Sequence, residues 1–134
     1  MAKPYLHAIS SAKKFGGKPE DYEEIHSFLD SSKSATPLNT HRALTHNSWF
    51  LSTVLERVCF SNSCDKTVDN RFPYIINSQG VKVFVRDIGE QHISEDYGNK
   101  FVPTAQDFLE NLEFQDWMQN GIKGKPNSYK KIKL

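Results

Sequence analysis

The chain has 134 residues, of which 37% are hydrophobic and 25% charged, with a formal net charge of +1. That length suits one domain with a single core. The near-neutral balance argues against a protein that coats DNA. No apolar run is long enough to span a bilayer and no signal-peptide core opens the sequence, so a cytoplasmic protein with no membrane segment is expected.

Residues 3–14 predict a first helix, with Pro4 at its first position and Tyr5, Ala8, Ile9 and Ala12 on the apolar face. His7 falls off that face. Gly16 and Gly17 end the helix. Residues 19–31 predict a second, opened by Pro19 and an acidic first turn. Tyr22, Ile25, His26 and Leu29 form its inner stripe. The short glycine-containing turn between the two predicts a helical hairpin.

Residues 31–38 form a polar loop, and Pro37 marks its end. The stretch from Asn39 to Phe60 predicts the longest helix, with Leu44, Leu51, Val54, Leu55 and Val58 on one face. It carries His41 and His46. Five residues apart, these two lie about 140° apart around a regular helix, a poor spacing for a shared ligand unless His41 sits in an irregular first turn.

Residues 61–80 are irregular, with one apolar patch at Phe72–Ile76. Val81–Val85 is the convincing strand, and Tyr74–Ile76 is its expected hairpin partner across Asn77–Gly80. Ile88–Tyr97 predicts a short helix. Thr104 and Asp107 form a variant capping box for a last helical segment through Gln119. The expected fold is a compact, mainly α bundle of about five helices with at most one small β-hairpin. Residues 1–121 form the domain and 122–134 a tail.

The tail carries Lys123, Lys125, Lys130, Lys131 and Lys133. It reads as a solvated terminus or as an arm for weak nucleic-acid contact. Cys59 and Cys64 make no disulfide framework and read as two reduced thiols. A zinc site from His41, His46, Cys59 and Cys64 has suitable ligand types, but an unbroken helix of roughly 18 residues would hold the pairs about 27 Å apart.

Chemistry concentrates on two stretches. His92, Glu95 and Asp96 stand at i, i+3 and i+4, on one helical face. His41 and His46 supply further imidazoles, and His7 and His26 are additional candidates. A divalent metal (zinc, iron or manganese) held by His41, His46, His92 and Asp96 follows from these residue types. Glu95 would orient a ligand or act as a general base on a metal-bound water. The alternative is a buried hydrogen-bond network with structural histidines. No glycine-rich phosphate loop, GxSxG or HExxH is present. No histidine precedes an aspartate, as an HD-type phosphohydrolase would need.

The order of His7, SAKKFGG, DYEEIH26, Asp30, Lys33, HRALTH46, GEQHISED96, Gly98 and PTAQDFL resembles a family of small bacterial and tailed-phage proteins. The resemblance runs from residue 4 to 112 and is most specific at HRALTH and GEQHISED. It implies a compact helical domain with His7, His26, His41, His46, His92 and Asp96 at motif positions, and implies no known activity.

Two functions are therefore expected. One is a small metal-binding protein, extending to a metal-dependent hydrolase of a phosphorylated substrate. The other is a non-catalytic phage accessory protein that binds a host protein through Trp49, Phe72 and Tyr74.

Overall fold

A computed structural model of the chain describes residues 3–36, 38–62, 72–113, 115, 116 and 118. The expectations for Pro37, Cys64, the 63–71 part of the loop, the end of the last helix at Gln119 and the lysine tail lie outside these residues.

The described residues form six α-helices and one two-stranded antiparallel sheet, in line with the expected mainly α fold. Helix α1 runs Pro4–Phe15 and α2 runs Glu23–Leu29. Proline opens α1 without losing a hydrogen bond, because the first N–H groups of a helix have no intrahelical partner. Gly16, at φ 87°, stops it by turning into a conformation that costs other residues a steric penalty. The Tyr22 hydroxyl donates to the Gly16 carbonyl at 2.6 Å, fixing the turn between the helices.

The inner face of α1 differs from its expectation. Ala8 is buried as expected, but Tyr5 is exposed, and His7 and Ser11 point inward with Ala8. The polar residues face the interior because the interior itself is polar there. The α2 stripe of Tyr22, Ile25, His26 and Leu29 is buried as expected.

The expected long helix from Asn39 to Phe60 is broken. A 3-10 turn at Asn39–His41 leads into α3 (Arg42–Thr45). After His46 and Asn47 comes α4 (Ser48–Thr53), followed by a 3-10 turn at Leu55–Arg57. His46 adopts φ −99°, ψ 54°, outside the helical region. Asn47 restarts the helix as N-cap, its side-chain oxygen accepting from the Phe50 N–H at 2.9 Å. The Ser48 N–H donates instead to the Pro103 carbonyl at 2.8 Å. An asparagine that can cap, together with a tertiary acceptor for the next N–H, outweighs the helical period here.

Strands β1 (Tyr74–Ile76) and β2 (Lys82–Phe84) pair with Ile75 opposite Val83. Asn77 closes the turn, its Oδ1 accepting from Gln79 and Val81 N–H. Helix α5 (Val85–Asp96) follows β2 directly. A Cβ on Gly89 would lie 2.6 Å from both Leu51 and Leu55, so glycine lets the α4 region approach α5 closely. Helix α6 (Ala105–Leu109) starts with the expected reciprocal cap between Thr104 and Asp107.

Tyr22, Ile25, Leu29, Leu51, Leu55, Phe60, Ile88 and Ile93 form the apolar core. Five histidines (7, 26, 41, 46 and 92) lie buried beside it. Cys59 is disulfide-bonded. This overturns the expectation of a reduced thiol at Cys59, and with it the zinc arrangement that would use that thiol. No described helix is long and apolar enough to cross a membrane.

Candidate metal centre

Asp30 closes α2, His46 occupies the break between α3 and α4, and His92 and Asp96 lie one turn apart on α5. Each offers one ligand atom, and all four atoms lie within 4.8 Å of one another. His46 Nε2 is 3.0 Å from Asp96 Oδ2 and 3.7 Å from Asp30 Oδ1. His92 Nε2 is 3.2 Å from Asp30 Oδ1 and 3.8 Å from Asp96 Oδ2. Four ligands at about 2.1 Å from a tetrahedral ion stand about 3.4 Å apart. The four imidazole–carboxylate edges bracket that value.

Hydrogen-bond polarity decides what His46 presents to this centre. The Thr45 hydroxyl donates to the Leu29 carbonyl at 2.8 Å, since a carbonyl can only accept. Its one proton is then committed. Ser32, 3.0 Å away, and His46 Nδ1, 2.8 Å away, must both donate to Thr45 Oγ1. A neutral His46 so held has a bare Nε2, aimed at two carboxylates. By the same logic His41 Nδ1 donates to Ser32 at 2.8 Å.

His92 lies with its Nδ1 2.9 Å from Nδ1 of His26. Burial lowers the His92 pKa, despite the hydrogen-bonded Asp30. Burial, with His92 and His7 beside it, pushes His26 down to about 2, so this ring is neutral. For Asp30, burial works upward, but His92 and Lys33 outweigh it and hold the carboxyl below its ordinary value. For Asp96, burial is again outweighed, by the His46 and His7 rings beside it, and the carboxyl stays ionised. Two carboxylates thus face imidazole nitrogens in a buried interior, where a cation would satisfy all of them.

A second layer surrounds the four. His7 Nδ1 is 2.8 Å from Glu95 Oε1, and its Nε2 lies 3.5 Å from Asp96 Oδ1, an ion-pair distance without good hydrogen-bond geometry. Burial would lower His7, but Asp96 and Glu95 raise it above its ordinary value. Glu95 also accepts from Gln91 and from the Ser10 hydroxyl. Lys33 and Arg42 lie 3.5 and 3.7 Å from the outer oxygens of Asp30 and Asp96. Among the described residues, three buried side-chain atoms are without a hydrogen-bond partner: His7 Nε2, Asp30 Oδ2 and Arg42 Nε. All three border this centre.

Of the residues expected at a site, His46, His92 and Asp96 come together. His41 does not join them; it is buried one step outside, on Ser32. His7, His26 and Glu95 lie in the surrounding layer. Asp30 was assigned no role in the sequence, yet it completes the group. Its signal was present: His26 and Asp30 repeat the i, i+4 spacing of His92 and Asp96, one pair on α2 and one on α5. Ser11 and Gln91 had no such signal. Of the expected contact aromatics, Trp49 and Phe72 are about half exposed and Tyr74 is partly buried.

The fold and site define a mainly helical domain enclosing a buried His/Asp cluster that could hold a metal ion. The chain belongs to the family described as a domain of unknown function (DUF6915), whose model matches residues 2–118. No curated protein and no solved structure matches it.

Proposed function

We propose that this protein is a metal-binding domain whose centre is a single divalent ion held by Asp30, His46, His92 and Asp96. The observation that carries the reading is the convergence of two imidazole nitrogens and two carboxylate oxygens within 4.8 Å of one another, with imidazole–carboxylate edges of 3.0–3.8 Å. Zinc is the first candidate, since it takes nitrogen and oxygen ligands in a tetrahedron; manganese prefers more oxygen donors. The bound ion would tie α2, the α3–α4 break and α5 together.

The centre favours a structural ion over a hydrolytic one. Structural sites are closed, whereas a catalytic metal keeps a position open for water or substrate. Four protein donors would already fill a four-coordinate shell, and their side chains are no more than 5% exposed. Glu95, expected as a base, has its oxygens occupied by His7, Gln91 and Ser10, which suits a positioning role.

A second reading rests on Lys33 and Arg42. They stand on the outer oxygens of the same two aspartates, as they would in a metal-free ion-pair cluster with protonated histidines. Such a protein would fit the non-catalytic accessory role. Metal content separates the two. Protein purified without chelator should carry about one divalent ion per chain by plasma mass spectrometry. Asp30→Ala and His46→Ala should lose it, and His41→Ala should keep it. Metal-free wild type, or equal content in all variants, would sink the proposal.

A further inference from the structure

Ser11, His26 and Gln91 touch no carboxylate of the centre, yet all are buried and hydrogen-bonded in series. The polarity of that series can be followed atom by atom. Gln91 Nε2 faces the His7 carbonyl at 3.1 Å and Glu95 Oε1 at 2.9 Å, two acceptors, so this atom is the amide nitrogen. Gln91 Oε1 is therefore the atom against Ser11, whose hydroxyl donates to it in the shorter contact and has the His7 carbonyl as a second acceptor at 3.1 Å. The Ser11 proton is then used. His26 Nε2, 2.7 Å from Ser11 Oγ, has to donate. A neutral His26 with a proton on Nε2 has a bare Nδ1. The 2.9 Å contact between the two Nδ1 atoms can then only be filled by a proton from His92, whose other nitrogen, Nε2, stands 3.2 Å from Asp30 Oδ1.

We infer that Gln91, Ser11 and His26 are positioning residues: a one-way hydrogen-bond relay, ending on Glu95, that holds His92 with its proton on Nδ1 and its Nε2 turned to the metal. The inference rests on the metal reading for its effect on affinity, but not for the relay itself. The relay also explains why α1, which supplies no ligand, turns a serine and a histidine inward. Glu95 is the common acceptor: it takes hydrogen bonds from Gln91 and His7, and His7 reaches back to Asp96. The outer layer is thus a loop joining the two α5 ligands. Outer partners of this kind are worth about 10–100-fold in metal affinity.

Two measurements test it. In metal-free protein labelled with 15N-histidine, two-bond proton–nitrogen correlations at neutral pH should show His26 protonated on Nε2 and not on Nδ1, and His92 carrying a proton on Nδ1. A nitrogen–nitrogen scalar coupling should connect the two Nδ1 atoms. In zinc competition against a chelator, His26→Leu should bind about 10–100-fold more weakly. His26→Asn, which restores an acceptor near the Nδ1 position, should recover part of that loss. A purely structural histidine would not give this graded rescue. His26 protonated on Nδ1, or zinc affinity unchanged in both variants, would overturn the relay. Absence of zinc binding in wild type would overturn the metal reading instead, and the tautomer measurement would still decide the relay.

Discussion

Thr45 gives its hydroxyl proton to the carbonyl of Leu29, and this bond between two neighbouring elements requires His46 Nδ1 to donate to Thr45, leaving Nε2 as the nitrogen that faces the aspartates. Leu29 precedes Asp30 and Thr45 precedes His46, so the same bond holds two residues of the cluster at one place. Thr45→Val keeps the shape and removes the hydroxyl. Its cost in stability should be about 1–3 kcal/mol, because buried Ser32 and His46 donors lose their acceptor. Zinc affinity should fall about 10–100-fold. Thr45→Ser should retain most of both. Chemical denaturation and chelator competition measure the two effects.

Asp30→Asn removes one anionic donor and leaves the fold's apolar contacts in place. Wild-type protein with zinc at about 100 times Kd should gain about 2.7 kcal/mol over chelator-treated protein. Its melting temperature should drop on chelation. The Asp30→Asn protein should melt at the same temperature with and without chelator. An equal chelator effect in both proteins would remove Asp30 from the centre.

Asn47 sets the break that aims His46. Asn47→Ala removes an N-cap and should cost about 1–2 kcal/mol. It also frees the chain to continue α3 into α4, which would swing His46 away from Asp96. Weaker zinc binding than the stability loss accounts for is the expected signature. Unchanged zinc affinity in a folded Asn47→Ala protein would show that the cap does not aim the ligand.

Away from the centre, Asp21 predicts an acid-sensitive joint. Burial would raise its carboxyl, but N–H groups of Lys18 and Ser78 and the Ser78 hydroxyl together lower it. A lowered folded value means stability that is fully present above the unfolded value, near pH 4, and is lost as pH falls through the folded one. Asp21→Asn should flatten that part of the pH–stability profile, read by denaturant unfolding from pH 5 to 2. An unchanged slope would place the acid response elsewhere.

Which parts of this centre were legible in the sequence follows from local geometry. His92 and Asp96 lie on one regular helix, where spacing alone puts them on one face. The β-hairpin and the Thr104 cap were legible for the same reason, since both depend on residues a few positions apart. His46 was legible as a candidate but not in its aim, because the break at His46–Asn47 depends on the carbonyl of Pro103, far along the chain. His7 was placed off the apolar face because apolar periodicity assumes an apolar interior, and α1 faces a polar one. Asp30 looked like a helix-end carboxylate until α2 met α5. The paired i, i+4 spacing of His26–Asp30 and His92–Asp96 was the available clue.

The most direct test of the centre is X-ray absorption at the edge of the metal that the purified protein carries. We expect a zinc edge, with about four nitrogen and oxygen neighbours at about 2.0–2.2 Å and the outer-shell scattering of two imidazoles. Asp30→Ala should lose the bound ion. A first shell containing sulfur, a single imidazole, or no bound metal in protein prepared without chelator would contradict a centre built from Asp30, His46, His92 and Asp96.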